Sequence, residues 1–197
     1  GAVSPPGGDF SEPVTQNSLR IAGAFWGLDA RLAYSRHFPA INWLTSYSLY
    51  LDALQEWYTH NVGMDFLQMR RELLEILQKE DELKKIVQLV GKESLSEPDK
   101  LLLDIARTIR DDFLRQNAFH DVDAFCPLQK QYYMMKAILT FYSTCQRVLG
   151  TIPYEEILKF PGWEQLSKMR YIPNDQTESY FPNFIQELSS VSTERVA

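Results

Sequence analysis

The chain has 197 residues, 45% hydrophobic and 23% charged, with 20 basic against 26 acidic side chains and a net charge of −6. That balance suits a globular protein and argues against nucleic acid as a partner. Its apolar runs, such as 21–28, fall far short of the ~20 residues of a membrane-spanning helix, so no direct membrane insertion is expected.

Residues 1–8 have neither the basic region nor the apolar core of a secretion signal. They also lack Met, and they read as a cut from a longer chain. Residues 3–13 collect Gly, Pro and Ser around Asp9, Phe10 and Glu12 and are expected to form a loop. The stretch 19–28 reads as one strand apolar on both faces, of the kind buried in a parallel sheet, with its partner strands outside this chain. A short helix at 30–35 leads to Phe38-Pro39, where the proline restricts Phe38 to extended geometry. Two readings fit Phe38 and Trp43: a rigid wall for a flat ligand, or a plug between two layers. Residues 1–45 are thus expected to be the trailing edge of an α/β domain.

From Ser46 the apolar period changes to that of a helix, with Tyr47, Tyr50, Leu51, Leu54 and Trp57 on one stripe. After a break at 61–63, Phe66, Met69, Leu73, Ile76 and Leu77 form a second stripe. The charged run 79–82 is expected to bend or interrupt it before Leu83, Ile86, Val87 and Val90. Gly91 stands where a glycine ends a helix. Ser96, Glu97, Pro98 and Asp99 announce the next helix by cap, proline and dipole. Its buried face is expected at Leu102, Ile105, Ala106, Ile109 and Phe113. The short link 91–95 implies an antiparallel pair with an acidic tip. Pro127 opens another helix, with a core stripe at Leu128, Tyr132, Met135, Leu139 and Tyr142. Pro153 and Pro161 bracket short helices at 154–159 and 163–169. The fold class is therefore mainly α, a helical bundle at 46–172 behind a strand-and-loop remnant at 1–45. Residues 173–197 are expected to be a tail, frayed from 189 onward.

No phosphate-loop, dinucleotide, zinc-protease or serine-hydrolase motif is present. His37, His60 and His120 have no partners at metal-ligand spacing, and 120–123 reads as a solvated loop. No catalytic residue and no metal ligand is assigned. With only Cys126 and Cys145 there is no disulfide framework, which suits a reducing, cytoplasmic compartment. Cys126 beside Pro127 is either an activated thiol or, the plainer reading, an inert small hydrophobe. One constellation carries chemistry. Gln116, Asn117, Ala118 and Phe119 close the capped helix six residues before Phe125. Amides, free helix-end carbonyls and a ring face, together with Phe38, suit stacking on a flat heterocycle. The competing reading is an aromatic helix end buried in the core.

The run 5–16, then Phe25-Trp26-Gly27-Leu28-Asp29-Ala30, then His37-Phe38-Pro39-Ala40-Ile41-Asn42-Trp43, closely resembles the catalytic A subunit of V/A-type rotary ATPases. Ala40-Ile41 and Thr45-Ser46-Tyr47-Ser48 resemble the archaeal and bacterial branch. The likeness continues through 79–83, 86–91, 116–119, Val122-Asp123 and Cys126-Pro127, up to about residue 169, and fades after Tyr171. The resemblance implies that 1–45 ends a nucleotide-binding domain and that the helices form a C-terminal domain facing the rotor. It implies ATP or ADP with Mg as ligand, the Mg ligands, phosphate loop and catalytic glutamate lying outside this chain. Phe38, Gln116, Ala118 and Phe119 match the adenine pocket, and Phe125 matches an aromatic of the related F-type catalytic chain. The implied partners are B subunits, one of which supplies an arginine, and the central stalk, at the cytoplasmic face of the membrane as a peripheral part of the complex. The acidic tip at 93–99 is similar to the loop that pushes on the shaft, although Ser94 and Pro98 replace acids there. An isolated chain of this kind is expected to be inactive. The alternatives are a free-standing helical interaction module without a nucleotide role, and the non-catalytic B-type relative, against which the 8–13 run argues.

Overall fold

The computed structural model of the chain describes residues 1–4 and 10–190. The start of the proline-rich run at 5–16, and most of the chain end expected to fray, therefore lie outside the described residues. Two compact units divide the chain, Gly1–Leu67 and Gln68–Ala197.

In the first unit a three-stranded sheet runs in the order β1 (Ala2–Val3), β2 (Ala24–Leu28), β3 (Ile41–Ser48). β2 pairs parallel with β1 and antiparallel with β3, so both neighbours of the apolar strand lie inside this chain. That corrects the expectation of missing partners. The strand is also shorter than 19–28, because α1 (Pro13–Ile21) takes up Leu19 to Ile21. Pro13 in the first turn was the available signal, since a helix start loses nothing by lacking that N–H. Buried Ser4 locks β1 to β2: its N–H donates to the Trp26 carbonyl (3.0 Å) and its Oγ accepts the Leu28 N–H (2.7 Å).

β3 overturns the helical reading from Ser46. Ile41, Trp43, Thr45 and Tyr47 alternate with smaller or polar residues, a period of two filled by strand formers. It runs across the expected boundary at 45/46. Between Phe25↔Tyr47 and Gly27↔Asn42, β3 carries four residues where β2 carries one. Asn42 organises this bulge, its Oδ1 accepting the N–H groups of Leu44 (2.9 Å) and Thr45 (3.3 Å). A Cβ on Gly27 would stand 2.4 Å from Thr45 Oγ1, so a larger residue here would require the Thr45 side chain to move. α2 (Ala30–Tyr34), capped by Asp29, fulfils the expected short helix, and α3 (Gln55–Asn61) begins well after Ser46.

The second unit is helical. α4 (Phe66–Val90) starts at the boundary and continues for 25 residues without interruption. Phe66, Met69, Leu73, Ile76, Leu77 and Leu83 are buried as the stripe predicts. The charged run does not interrupt it, and its members are satisfied. Lys79–Glu82 and Asp81–Lys85 pair on the surface at 3.6 and 2.9 Å. Glu80 turns inward, where Arg110 Nε donates to both carboxylate oxygens (3.0 and 3.1 Å) and Lys84 approaches to 3.0 Å. Gly91 has a φ of 83°, open to glycine at little cost. Ser96 Oγ accepts the Asp99 N–H (3.3 Å) and donates to its carboxylate (2.7 Å), capping α5 (Glu97–Thr108). Part of the tip's acidity is thus used internally.

On α5 and the turn that follows it, Ile105, Ala106 and Ile109 are buried as expected, while Leu101 is fully buried and Leu102 and Phe113 only half so. Asp104 is buried too, receiving the Tyr154 hydroxyl and Lys92 (3.5 Å). α6 (Leu128–Val148) corrects the expected stripe. Of its five members only Met135 is buried, whereas Met134, Ala137, Ile138, Phe141, Cys145 and Val148 are. The shift arises because α5, α8 (Gly162–Lys168) and α9 (Thr177–Ser189) all pack on α6. Gly162 lies so close to the Phe141 ring that a Cβ would stand 2.2 Å away. α7 (Tyr154–Ile157) is the other short helix. α9 shows that the expected tail at 173–197 is in fact packed up to its helix end. Phe181, Phe184 and Leu188 at helical spacing are buried, despite Pro182 inside the helix.

Candidate functional site

The second unit presents one built loop, at 115–127. α5 passes into a π-helical turn, Ile109–Leu114, closed by Arg115 N–H to the Arg110 carbonyl (3.0 Å). Such turns are frequent at functional sites. The chain then swings out and is pinned from within by Asp123, which is 4% exposed. Asp123 Oδ2 accepts the Asn117 N–H (2.7 Å), and its backbone carbonyl accepts Gln116 Nε2 (3.2 Å). Asn117 Oδ1 accepts the Phe119 N–H (3.0 Å), and His120 Nδ1 accepts those of Val122 (3.2 Å) and Asp123 (3.3 Å). The loop's polar groups thus hold each other, and its rings point away. Phe119 is 98% exposed and Phe125 69%.

That exposure removes the reading of Phe119 as a core plug. Ala118 is also exposed, and Gln116 is half-buried with its amide nitrogen committed to the loop. Phe38 lies in the first unit, 51% exposed, between buried His37 and Pro39 and joined to Pro39 by a cis peptide. His37 packs on Trp43 at 5.5 Å between ring centroids. The sequence-derived residues therefore fall in two units. Gln116, Ala118, Phe119 and Phe125 share one loop, and Phe38 stands in the other unit.

Sequence reasoning missed the residues that shape the loop. Asp123 stood in a run read as a solvated loop and in the Val122-Asp123 pair of the resemblance, with no role assigned. Lys130 and Arg170 carried no signal, since nothing in their spacing marks a cation that turns inward. Cys126 is not an activated thiol: burial pushes it up to about 11, and Cys145 to about 12. Among the described residues no cluster of three His, Cys, Asp or Glu side chains suits a metal ion. No described helix is long and apolar enough to cross a membrane. Two cavities lie elsewhere. One of about 390 Å³ in the first unit is lined by Phe10, Asp29, Arg31 and Asn42. One of about 300 Å³ in the second lies among Glu72, Glu75, Ile76, Leu102, Leu139 and Tyr142.

Residues 55–158 match the family model of the C-terminal domain of V and A type ATP synthase, and residues 1–48 match the nucleotide-binding domain of the ATP synthase alpha/beta family. The chain is 54% identical over 179 residues to the A subunit of the A-type ATP synthase of Methanopyrus kandleri, covering 90% of this chain and 30% of that protein. It is 50% identical over 190 residues to the V-type ATP synthase alpha chain of Acetivibrio thermocellus, covering 96% and 32%. The Clostridium botulinum alpha chain is 48% identical across the whole chain and 33% of its own length. The chain thus spans about a third of the length of these curated relatives. The solved ATP synthase protein NeqB of Nanoarcheaum equitans superposes with a TM-score of 0.58 at 22% identity, over 70% of this chain and 32% of that one, a likeness of fold. By the two family models and these relatives, the chain belongs to the V- and A-type ATP synthase family and represents the C-terminal region of its alpha chain, the A subunit.

Proposed function

We propose that this chain forms the adenine-side wall of a catalytic nucleotide site and the rotor-facing lever of a rotary ATPase, which couples ATP hydrolysis or synthesis to H⁺ or Na⁺ transport. The observation that carries the reading is the Phe119 ring, 98% exposed on a loop whose backbone is pinned by Asp123. A rigidly mounted aromatic outside the core suits a flat base, because stacking needs a fixed face and little else. Phe125 supplies a further exposed ring on the same loop and Ala118 leaves room beside Phe119, while Phe38 offers an exposed ring within the first unit. Gln116 acts by holding the loop. Residues 1–48 would end the nucleotide-binding domain, and the helical domain would run from α3 onward through α9. ATP or ADP is the ligand, and the groups that hold Mg and the phosphates lie outside this chain. The partners are B subunits and the central stalk, at the cytoplasmic face of the membrane.

The 197-residue chain alone is expected to hydrolyse no ATP above a buffer blank, since no phosphate loop is present to position the reacting group. In the assembled complex, an ATP analogue carrying a photoreactive group on adenine should label the peptide 115–127. Turnover by the chain alone, or labelling confined to other peptides, would overturn the reading and favour a helical interaction module.

A further inference from the structure

We infer that Arg170 is a positioning residue that sets the pose of the 116–125 loop and thereby governs nucleotide affinity from outside the pocket. The inference rests on the reading of that loop as an adenine wall. Where a helix widens into a π turn and ends, its last carbonyls have no N–H partners in the helix. Arg170 Nη1 donates to two of them, Asp111 and Arg115, each at 2.8 Å. Its Nε is buried without a hydrogen-bond partner and faces Asp123 Oδ2 at 3.8 Å, the oxygen that accepts the Asn117 N–H. One guanidinium thus bonds the root of the loop through Nη1 and sets its Nε beside the central carboxylate, two places on a planar fork that a single ammonium does not occupy together.

The segment that carries Arg170 is itself anchored. Lys130, 1% exposed, donates all three protons, to the carbonyls of Arg170 (2.7 Å) and Ile172 (2.6 Å) and to Asn174 Oδ1 (3.2 Å). Asn174 Nδ2 donates onward to the Phe125 carbonyl (3.1 Å). Tyr171 lies under the Arg170 guanidinium (5.3 Å) and against the His120 ring (4.7 Å). The loop is therefore held at its start, middle and end by residues 170–174, beyond the 55–158 span of the family model. Phe119 and Phe125 have little packing of their own, so their ring positions follow the backbone that Arg170 fixes.

The test uses the assembled complex carrying the full-length alpha chain. Arg170→Gln is expected to raise KM for ATP roughly tenfold with kcat within about twofold, the pattern of lost uniform binding. Amide exchange should quicken across 116–125 while the α6 core keeps its protection. Arg170→Lys should fall between the two. If Arg170→Gln does not assemble, Asn174→Ala removes one bond to the loop and should raise KM roughly twofold to threefold. Unchanged exchange across 116–125 in Arg170→Gln overturns the inference. So does an unchanged KM in that variant when Phe119→Ala raises KM, in which case the adenine reading stands. If Phe119→Ala itself leaves KM unchanged, the adenine reading falls, and the claim about affinity falls with it.

Discussion

Arg110→Met is expected to destabilise the helical unit by about 3 kcal/mol, at the lower end of what breaking a buried ion pair costs. Glu80 is 3% exposed, and Arg110 supplies the paired N–H contacts to its carboxylate, with a second nitrogen at 3.0 Å. Without that fork the charge stays buried and, among the described residues, keeps Lys84, whose side chain is 50% exposed and whose hold is screened by water. The effect should therefore be large but short of a fully orphaned carboxylate. The double variant Glu80→Met, Arg110→Met should recover most of the loss, because a well-packed apolar pair of similar volume replaces buried ions at little or no net cost. Denaturant unfolding of the single and double variants measures this coupling. An Arg110→Met protein within about 0.5 kcal/mol of the parent would show that the pair contributes no more than a surface contact.

Phe119→Ala should weaken nucleotide binding by about 1–3 kcal/mol, the range found for removing an aromatic stacking partner, which is a rise in KM of roughly fivefold or more. Because the ring is 98% exposed, its removal opens no cavity, and the melting temperature should stay close to that of the parent. Stacking on the base is the same in ground and transition states, so kcat should be nearly unchanged. Steady-state kinetics of the assembled complex separates the two constants. A fall in kcat at constant KM would place Phe119 in the chemical step and contradict an adenine wall. Loss of stability without a kinetic change would make it a structural residue after all.

Local chemistry was legible where a residue acts through its own backbone. Gly91, Ser96 and Pro98 mark the turn between α4 and α5 because cap, proline and positive φ are properties of one or two residues. The α4 stripe was legible because one long face meets the core. The α6 stripe was not, since several elements pack on that helix and no single face is apolar enough to announce them. β3 was lost to a coincidence, aromatics at 47, 50 and 57 that mimic a helical period and conceal the alternation at 41–47. In the 115–127 loop, residue identity alone marked the amide and rings on offer: Gln116, Phe119 and Phe125. It took the folded chain to turn Phe119 outward, to commit Gln116 to the loop, and to bring Asp123, Lys130 and Arg170 in to hold it. Charges that turn inward find partners up to 59 residues away, as Arg170 Nη1 does at the Asp111 carbonyl. A lysine or arginine in a sequence looks the same whether water or a folded neighbour completes its hydrogen bonds.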